Sequence, residues 1–437
     1  MSLSSLQEKI GPIFQTKWEG TKRVLGLKGG ARAYFLSLVA KKRHQPLLII
    51  TPTTREAENL FLDLAFFLGE EKGLSPLQKR LHFFPSWEIL PFEKLSPHPD
   101  NVAARLEGLF NLLEGQSPIL ISTPAALMQK VIPKENLQRS YLYLVTGEEV
   151  SHESFLEHLA SWGFQNVPLV EERGDFSVRG GIIDIFPPAY TWPMRLEFSG
   201  DRLESIREFD PSTQRSLNPH QELLLLPMKE FSLGRDKIKE VRRPIEERAE
   251  ELDVTRTEKN SILESIRDGI PFAGMEFLVP YFYPALSSFF SYLPPETLVW
   301  LDQAAQVGVE VERFEHLARE METKAKEEGC LMPPVEGLYL EETKWQECLS
   351  SFAQVHGEAL DVISPEGESV DSIVSVRSYL NTEIHQEISS PQGKEPSLAP
   401  FVERLRGWKG ERIIFVVPTK GDATRLKELL AHYRVDL

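Results

Sequence analysis

From Arg173 to Asp210 the chain reads RGDFSVRGGIIDIFPPAYTWPMRLEFSGDRLESIREFD. Hydrophobicity here alternates with a period of two, the mark of short half-buried strands. Phe176 and Val178 share one face of 175–179 and leave Ser177 and Arg179 on the other. Gly180-Gly181 interrupts the run, Ile182 to Phe186 resumes it, and Pro187-Pro188 ends it. Met194, Leu196 and Phe198 again share a face, with Arg195 and Glu197 opposite, and Ser199-Gly200-Asp201 supplies a turn before Leu203 to Phe209. Three or four antiparallel strands are predicted. If the apolar faces pack inward, Arg179 and Arg195 both point outward. Two guanidiniums on one open sheet face suit the carboxylates of a partner protein, and they equally suit plain solvation.

Composition bounds the surroundings of this stretch. The 437 residues have room for roughly two to four domains. A hydrophobic fraction of 41% and a charged fraction of 26% are those of an ordinary globular protein. The net charge of −16 excludes attraction of the whole surface to nucleic acid, so any DNA contact needs a local basic patch. Cys330 and Cys348 are the two cysteines, too few to staple a chain of this length. The N-terminus lacks the pattern of a signal peptide, and no apolar run approaches the ~20 residues of a membrane span. A soluble, cytoplasmic chain with no metal site is expected.

Residues 24 to about 135 read as alternating strands and helices. Val24 to Leu27 is a short apolar strand, Lys28-Gly29-Gly30 a turn, and Ala31 to Ala40 a helix. Leu47 to Thr51 is a fully apolar strand, with a helix opening behind Thr53 or Thr54. A further helix, Val102 to Leu113, precedes a strand at Ile119 to Thr123. Such alternation predicts a parallel sheet of the RecA-like, helicase type. In that fold the first strand–turn–helix is where nucleotide phosphates sit. The loop here is GLKGGARAY, with glycines at Gly26, Gly29 and Gly30. Ala31-Arg32 stands where a phosphate-binding Lys and a magnesium-binding Ser/Thr belong. Arg32 can hold an anion, but nothing replaces the hydroxyl. The other Gly-Lys, Gly393-Lys394, sits in a polar loop. A vestigial nucleotide pocket is predicted.

The stretch at 173–210 resembles the second domain of UvrB, and more closely its counterpart in the transcription-repair coupling factor (Mfd) family. The resemblance implies that this small domain is a docking surface for UvrA. By position the docking residues would be Arg179, Arg195 and an aromatic at the end of MRLEF. Family members often read Phe-Phe where this chain has Phe198-Ser199, so Ser199 fills the slot of the second Phe and Phe198 is assigned to the core by its alternation with Leu196. FFPSWEILPFEKLSPHPD, residues 83–100, is similar to the coupling factors and lacks the tyrosine-bearing DNA-clamping hairpin of UvrB. Its Trp87, Phe84 and Phe92 are candidates for base stacking, set against packing on the sheet. MEFLVPYFYPALSSFFSYLPPETLVWLDQAA, residues 275–305, is similar to both families at the run into their second ATPase motif. There Asp302-Gln303 replaces an Asp-Glu pair, and a neutral Gln cannot take a proton from water.

The fold class implied is α/β, a degenerate RecA-like parallel-sheet domain with an inserted small antiparallel α+β domain, followed by a partial α/β domain. The boundaries read as 1–135 for the first part of the RecA-like domain, 136–218 for the inserted UvrA-docking domain and 219–345 for the return. Residues 346–397 read as linker, and 398–437 as the incomplete start of a third domain, with a strand at Arg412 to Val417 and a helix at Gly421 to His432. The resemblance covers only the N-terminal part of the coupling factors. Their RNA-polymerase-binding domain and their ATP- and magnesium-dependent DNA translocase motor lie outside it. The expected function is therefore non-catalytic UvrA recruitment to stalled RNA polymerase, with no cofactor in this chain. A divergent RecA-like ATPase and a UvrB-like DNA-binding repair protein are the alternatives.

Overall fold

The computed structural model describes residues 21–42, 45–70, 75–116, 118–231, 233, 235–359, 373–376, 378, 398–408, 413, 415, 417 and 419–435. The strands, in chain order, are β1 (Thr21–Leu25), β2 (Leu47–Ile50), β3 (Leu81–Phe84), β4 (Ile119–Ser122), β5 (Leu142–Val145), β6 (Gln165–Asn166), β7 (Asp175–Arg179) and β8 (Ile182–Ile185). They continue as β9 (Met194–Ser199), β10 (Arg202–Phe209), β11 (Ser216–His220), β12 (Glu222–Leu225), β13 (Leu298–Asp302), β14 (Ala353–Glu358) and β15 (Ile373–Ser375).

Seven of them form one parallel sheet in the order β15-β1-β14-β13-β2-β4-β3. Parallel strands need crossovers, and the crossover helices cover both faces of the sheet. That is why β2 is LLII without alternation. Leu48 and Ile50 enter the core under helices Pro99–Leu113 and Ala304–Glu327, while Leu47 and Ile49 enter the core under helices Gly30–Lys42 and Thr54–Leu68. The same division separates Val299 and Leu301 from Leu298 and Trp300 in β13. Thr53 caps the second of these helices, its Oγ1 accepting from the Glu56 amide at 3.3 Å, and Gly69 closes it in the left-handed region.

The predicted parallel α/β sheet and separate antiparallel sheet are both present, but two boundaries need correction. Residues 346–397, expected as linker, contain β14 and β15, and β14 sits between β1 and β13. The loose composition around them hid AQVHGE, whose alternation is weak because only Val355 and Gly357 are buried. The inserted domain also runs past 218. Strand β12 pairs antiparallel with β5, and it sends Leu223 and Leu225 into the small domain's core while Leu224 and Leu226 enter the sheet's core. A period-two strand here fastens two cores together. The strand expected over 412–417 and the polar segments 364–369 and 389–396, including Gly393-Lys394, lie mostly or wholly outside the described residues. In 398–435, helices Ala399–Gly407 and Lys420–His432 share a small cluster of Val402, Leu405 and Leu430.

A third body of core is helical. Helices Arg235–Glu251 and Arg256–Asp268 pack with residues 275–282 and 330–339, and Trp87 and Phe92 are buried among them. Trp87 and Phe92 meet Phe277 edge-on or tilted at 5.5 and 5.6 Å. Neither ring presents a face for stacking on a base, so the stacking role weighed for 83–100 is corrected. Both rings pack in this helical layer rather than on the sheet. Among the described residues no helix is long and apolar enough to cross a membrane.

Candidate docking face and degenerate nucleotide site

The inserted domain is a six-stranded sheet, β11-β10-β9-β8-β7-β6, antiparallel except for the short β6–β7 pair. One face buries Phe176, Ile183, Ile185, Met194, Leu196, Phe198, Leu203 and Ile206 against helix His152–Ser161. Phe198 is a core residue, as its alternation predicts, its ring 5.5 Å from His152 and 6.1 Å from Phe155. Ser199 is exposed at the end of β9.

Register fixes the opposite face. Arg179 lies across from Ile182, and Ile182 across from Glu197, which faces Ser205. The next row runs Ser177, Asp184, Arg195 and Arg207. Both predicted arginines therefore stand on the outward face, but not in the same state. Arg179 is exposed and donates one bond, from Nη2 to the Pro168 carbonyl at 2.8 Å. Arg195 is engaged within its own sheet. Its Nε and Nη2 donate to the two oxygens of Asp184 at 2.7 and 2.8 Å, Nη1 reaches the Gln214 carbonyl at 3.3 Å, and the guanidinium lies 4.8 Å from the Phe209 ring centre. Of the two outward-facing arginines, Arg195 is already paired with an acid of its own sheet, while Arg179 holds only a backbone carbonyl. The missed signal is Asp184 itself, an acid in the otherwise apolar run IIDI that is only 3% exposed and must be paired.

The strand–turn–helix at Gly26–Tyr34 sits where the sequence places it, at the C-terminal end of β1, and the sheet brings Asp302 to the same edge. Both are engaged within the chain. Arg32 Nη1 donates to Asp302 Oδ2, forming an ion pair in which the carboxylate side chain is 3% exposed. Burial pushes the Asp302 carboxyl above its usual range, and the guanidinium of Arg32 pulls it back. Gln303, left-handed at φ 54°, turns its amide away to donate to Glu56 Oε1 at 3.0 Å.

Two backbone donors of the loop are also engaged. Gly26 N–H bonds the Glu358 carbonyl at 2.9 Å, and Lys28 N–H bonds Ser378 Oγ at 2.7 Å. The Ser378 hydroxyl itself donates to the Gly26 carbonyl at 2.6 Å. Gly26 has φ +82°, and a side chain there would meet the Val376 carbonyl oxygen at 2.2 Å, so Val376 lies directly against the loop. Gly29, Gly30, Arg32, Asp302 and Gln303 are thus assembled at one edge, where Arg32, Asp302 and Gln303 have partners within the chain. Nothing in the sequence pointed to Ser378 or Glu56 as those partners.

Among the described residues no group of three or more His, Cys, Asp or Glu side chains is placed to hold a metal. Residues 142–231 match the family described as the UvrB interaction domain. Along 93% of its length the chain is 32% identical to the transcription-repair-coupling factor of Myxococcus xanthus, of which it covers 34%. The corresponding factor of Haemophilus influenzae is 29% identical over 92% of this chain and 33% of its own length, and that of Escherichia coli is 26% identical over 95% and 34%. The chain spans about a third of the length of these relatives. It therefore carries a UvrB interaction domain at 142–231 and is, along nearly all of its length, a relative of the transcription-repair-coupling factors.

Proposed function

We propose that this chain is a non-catalytic docking module that recruits UvrA to stalled RNA polymerase, as part of an ATP-driven DNA translocase engaged in transcription-coupled excision repair. The observation that carries the reading is the match to the UvrB interaction domain over the sheet that holds Arg179 exposed on its outward face. A guanidinium in that position offers a charge-assisted, bidentate contact to a carboxylate of the partner, worth about 1.5–3 kcal/mol when partly desolvated. Titrating purified UvrA against Arg179→Ala should show affinity weakened roughly tenfold or more, with the melting temperature unchanged because the side chain contributes nothing to the core. Wild-type affinity in that variant would remove the docking role from this face.

The reading also requires that the Arg32–Asp302 pair take the place of nucleotide chemistry. In a phosphate-release assay the chain should not hydrolyse ATP. Ala31→Lys combined with Arg32→Thr should not restore turnover, because Gln303 still supplies no base and Ser378 still holds the loop. Turnover by the unmodified chain that disappears in Asp302→Ala would overturn the non-catalytic assignment.

A further inference from the structure

The outward face of the inserted sheet is open in one row and closed in the next. Ser177 and Asp184 stand on it, yet each is only 3% exposed. Ser177 Oγ donates to the Pro168 carbonyl at 3.3 Å, and Arg195 holds both oxygens of Asp184. The row of Arg179, Ile182 and Glu197 is different. Arg179 and Ile182 are exposed and Glu197 is half-buried, its Oε2 accepting from Ser205 Oγ at 2.7 Å.

Ile182 is 38% exposed, although Ile183 beside it is wholly buried. Leu169, 39% exposed, comes to the same place from the other side of Arg179. Val167 donates its N–H to the Phe176 carbonyl at 2.8 Å, so the segment after β6 runs on beside β7, and the Pro168 carbonyl accepts from Arg179. The exposed guanidinium thus stands between two exposed aliphatic side chains. The other large apolar side chains exposed on this domain lie elsewhere. Trp192 is in the connection from β8 to β9, at the far end of those strands, Leu217 is on the edge strand β11, and Tyr143 is on β5. A single exposed apolar residue is ordinary, whereas two gathered around one guanidinium make a patch of the kind that anchors an interface.

The patch is also held rigidly. Gly180, at φ 63°, makes the turn from β7 to β8. Gly181 lets β9 come close, since a side chain there would stand 2.4 Å from the Phe198 carbonyl oxygen, and its own carbonyl accepts the Phe198 N–H at 2.6 Å. Ile182 is therefore fixed in place before any partner arrives, which lowers the entropy lost on docking.

Resting on the UvrA-docking reading above, we propose that Ile182, with Leu169, is the apolar anchor of that face, and that it enters an apolar depression of UvrA beside the carboxylate that takes Arg179. Ser199, exposed at the end of β9, offers no apolar area for this role. An ion pair left in water contributes little, and aliphatic side chains that exclude water around it make the same pair count.

The test is titration of purified UvrA with the full chain and its variants. Ile182→Thr keeps the β-branch suited to a strand and should weaken binding roughly tenfold by leaving that area unburied. Because the lost contact is apolar, the loss should persist between about 0.1 and about 0.5 M NaCl. Leu169→Thr should weaken binding roughly threefold or more, and Leu217→Thr, equally exposed on the same sheet but away from Arg179, should bind as wild type. Wild-type affinity in Ile182→Thr, an equal loss in Leu217→Thr, or a loss that vanishes at high salt would each overturn the anchor. Should Ile182→Thr melt well below wild type, Leu169→Thr decides, and wild-type affinity there overturns it. Wild-type affinity in Ile182→Thr alongside weakened Arg179→Ala would remove the anchor and leave the docking face standing, whereas wild-type affinity in both would remove the face itself.

Discussion

Arg105→Met should destabilise the chain by about 3–5 kcal/mol in urea denaturation, more than a surface substitution of the same size could produce. Arg105 is wholly buried in helix Pro99–Leu113, and its Nε donates to Glu230 Oε1 at 2.8 Å, with side-chain exposures of 0% and 4%. Nη1 donates to the Pro85 carbonyl at 3.1 Å, and the guanidinium lies 4.8 Å from the Phe84 ring centre. The pair ties the α/β body to the segment by which the chain leaves the inserted domain. Removing the cation strands the Glu230 carboxylate in a dry site, and that stranded charge is the source of the large cost. The pair itself is poorly satisfied, since Arg105 Nη2 and Glu230 Oε2 have no partner. Arg105→Met together with Glu230→Leu should therefore recover most of the lost stability. A double variant as unstable as the single one would place the cost in packing around Phe84 and Trp87 instead.

The ease of reading the sequence follows how much each element depends on distant partners. The strand LLII at β2 and the alternating MRLEFS at β9 announce themselves, because burial on two faces and on one face leaves different patterns along the chain. Phe198 and Ser199 are assigned by that alternation alone. The state of Arg195 is not legible in this way, because a period of two tells which face a side chain occupies and not whether an acid one strand away has already claimed it. β14 is missed for a related reason. AQVHGE becomes a strand only because β1 and β13 flank it, and Gly357 is there because the Trp300 ring fills the space a side chain would take, 2.1 Å from its Cζ2. At the proposed vestigial nucleotide site, the absence of Lys, Ser/Thr and Glu is visible in the sequence. The contacts made there, Arg32 on Asp302 and Ser378 across the loop, join residues 270 and 350 positions apart and exist only in the folded chain.

Arg195→Met should lower stability by about 3–5 kcal/mol as well, in contrast to the silent Arg179→Ala. Asp184 has a side-chain exposure of 4%, and both of its oxygens are held by the one guanidinium. The arginine is itself clamped by the Gln214 carbonyl and the Phe209 ring, so the row Ser177, Asp184, Arg195 is part of the sheet's framework. Loss of UvrA binding in Arg195→Met alone would say little, because a domain that unfolds cannot dock. The informative variant is Arg195→Met with Asp184→Leu, which removes the stranded carboxylate along with its partner. That double variant should recover most of the stability, and its affinity for UvrA then isolates what Arg195 does at the surface. Affinity near wild type would make Arg195 a framework residue and leave Arg179 as the charged contact of this face. Affinity reduced roughly tenfold in a stable double variant would instead mean that the Arg195–Asp184 pair opens on docking and passes its guanidinium to the partner. The ion pair seen here would then be what holds the docking arginine in position before UvrA arrives.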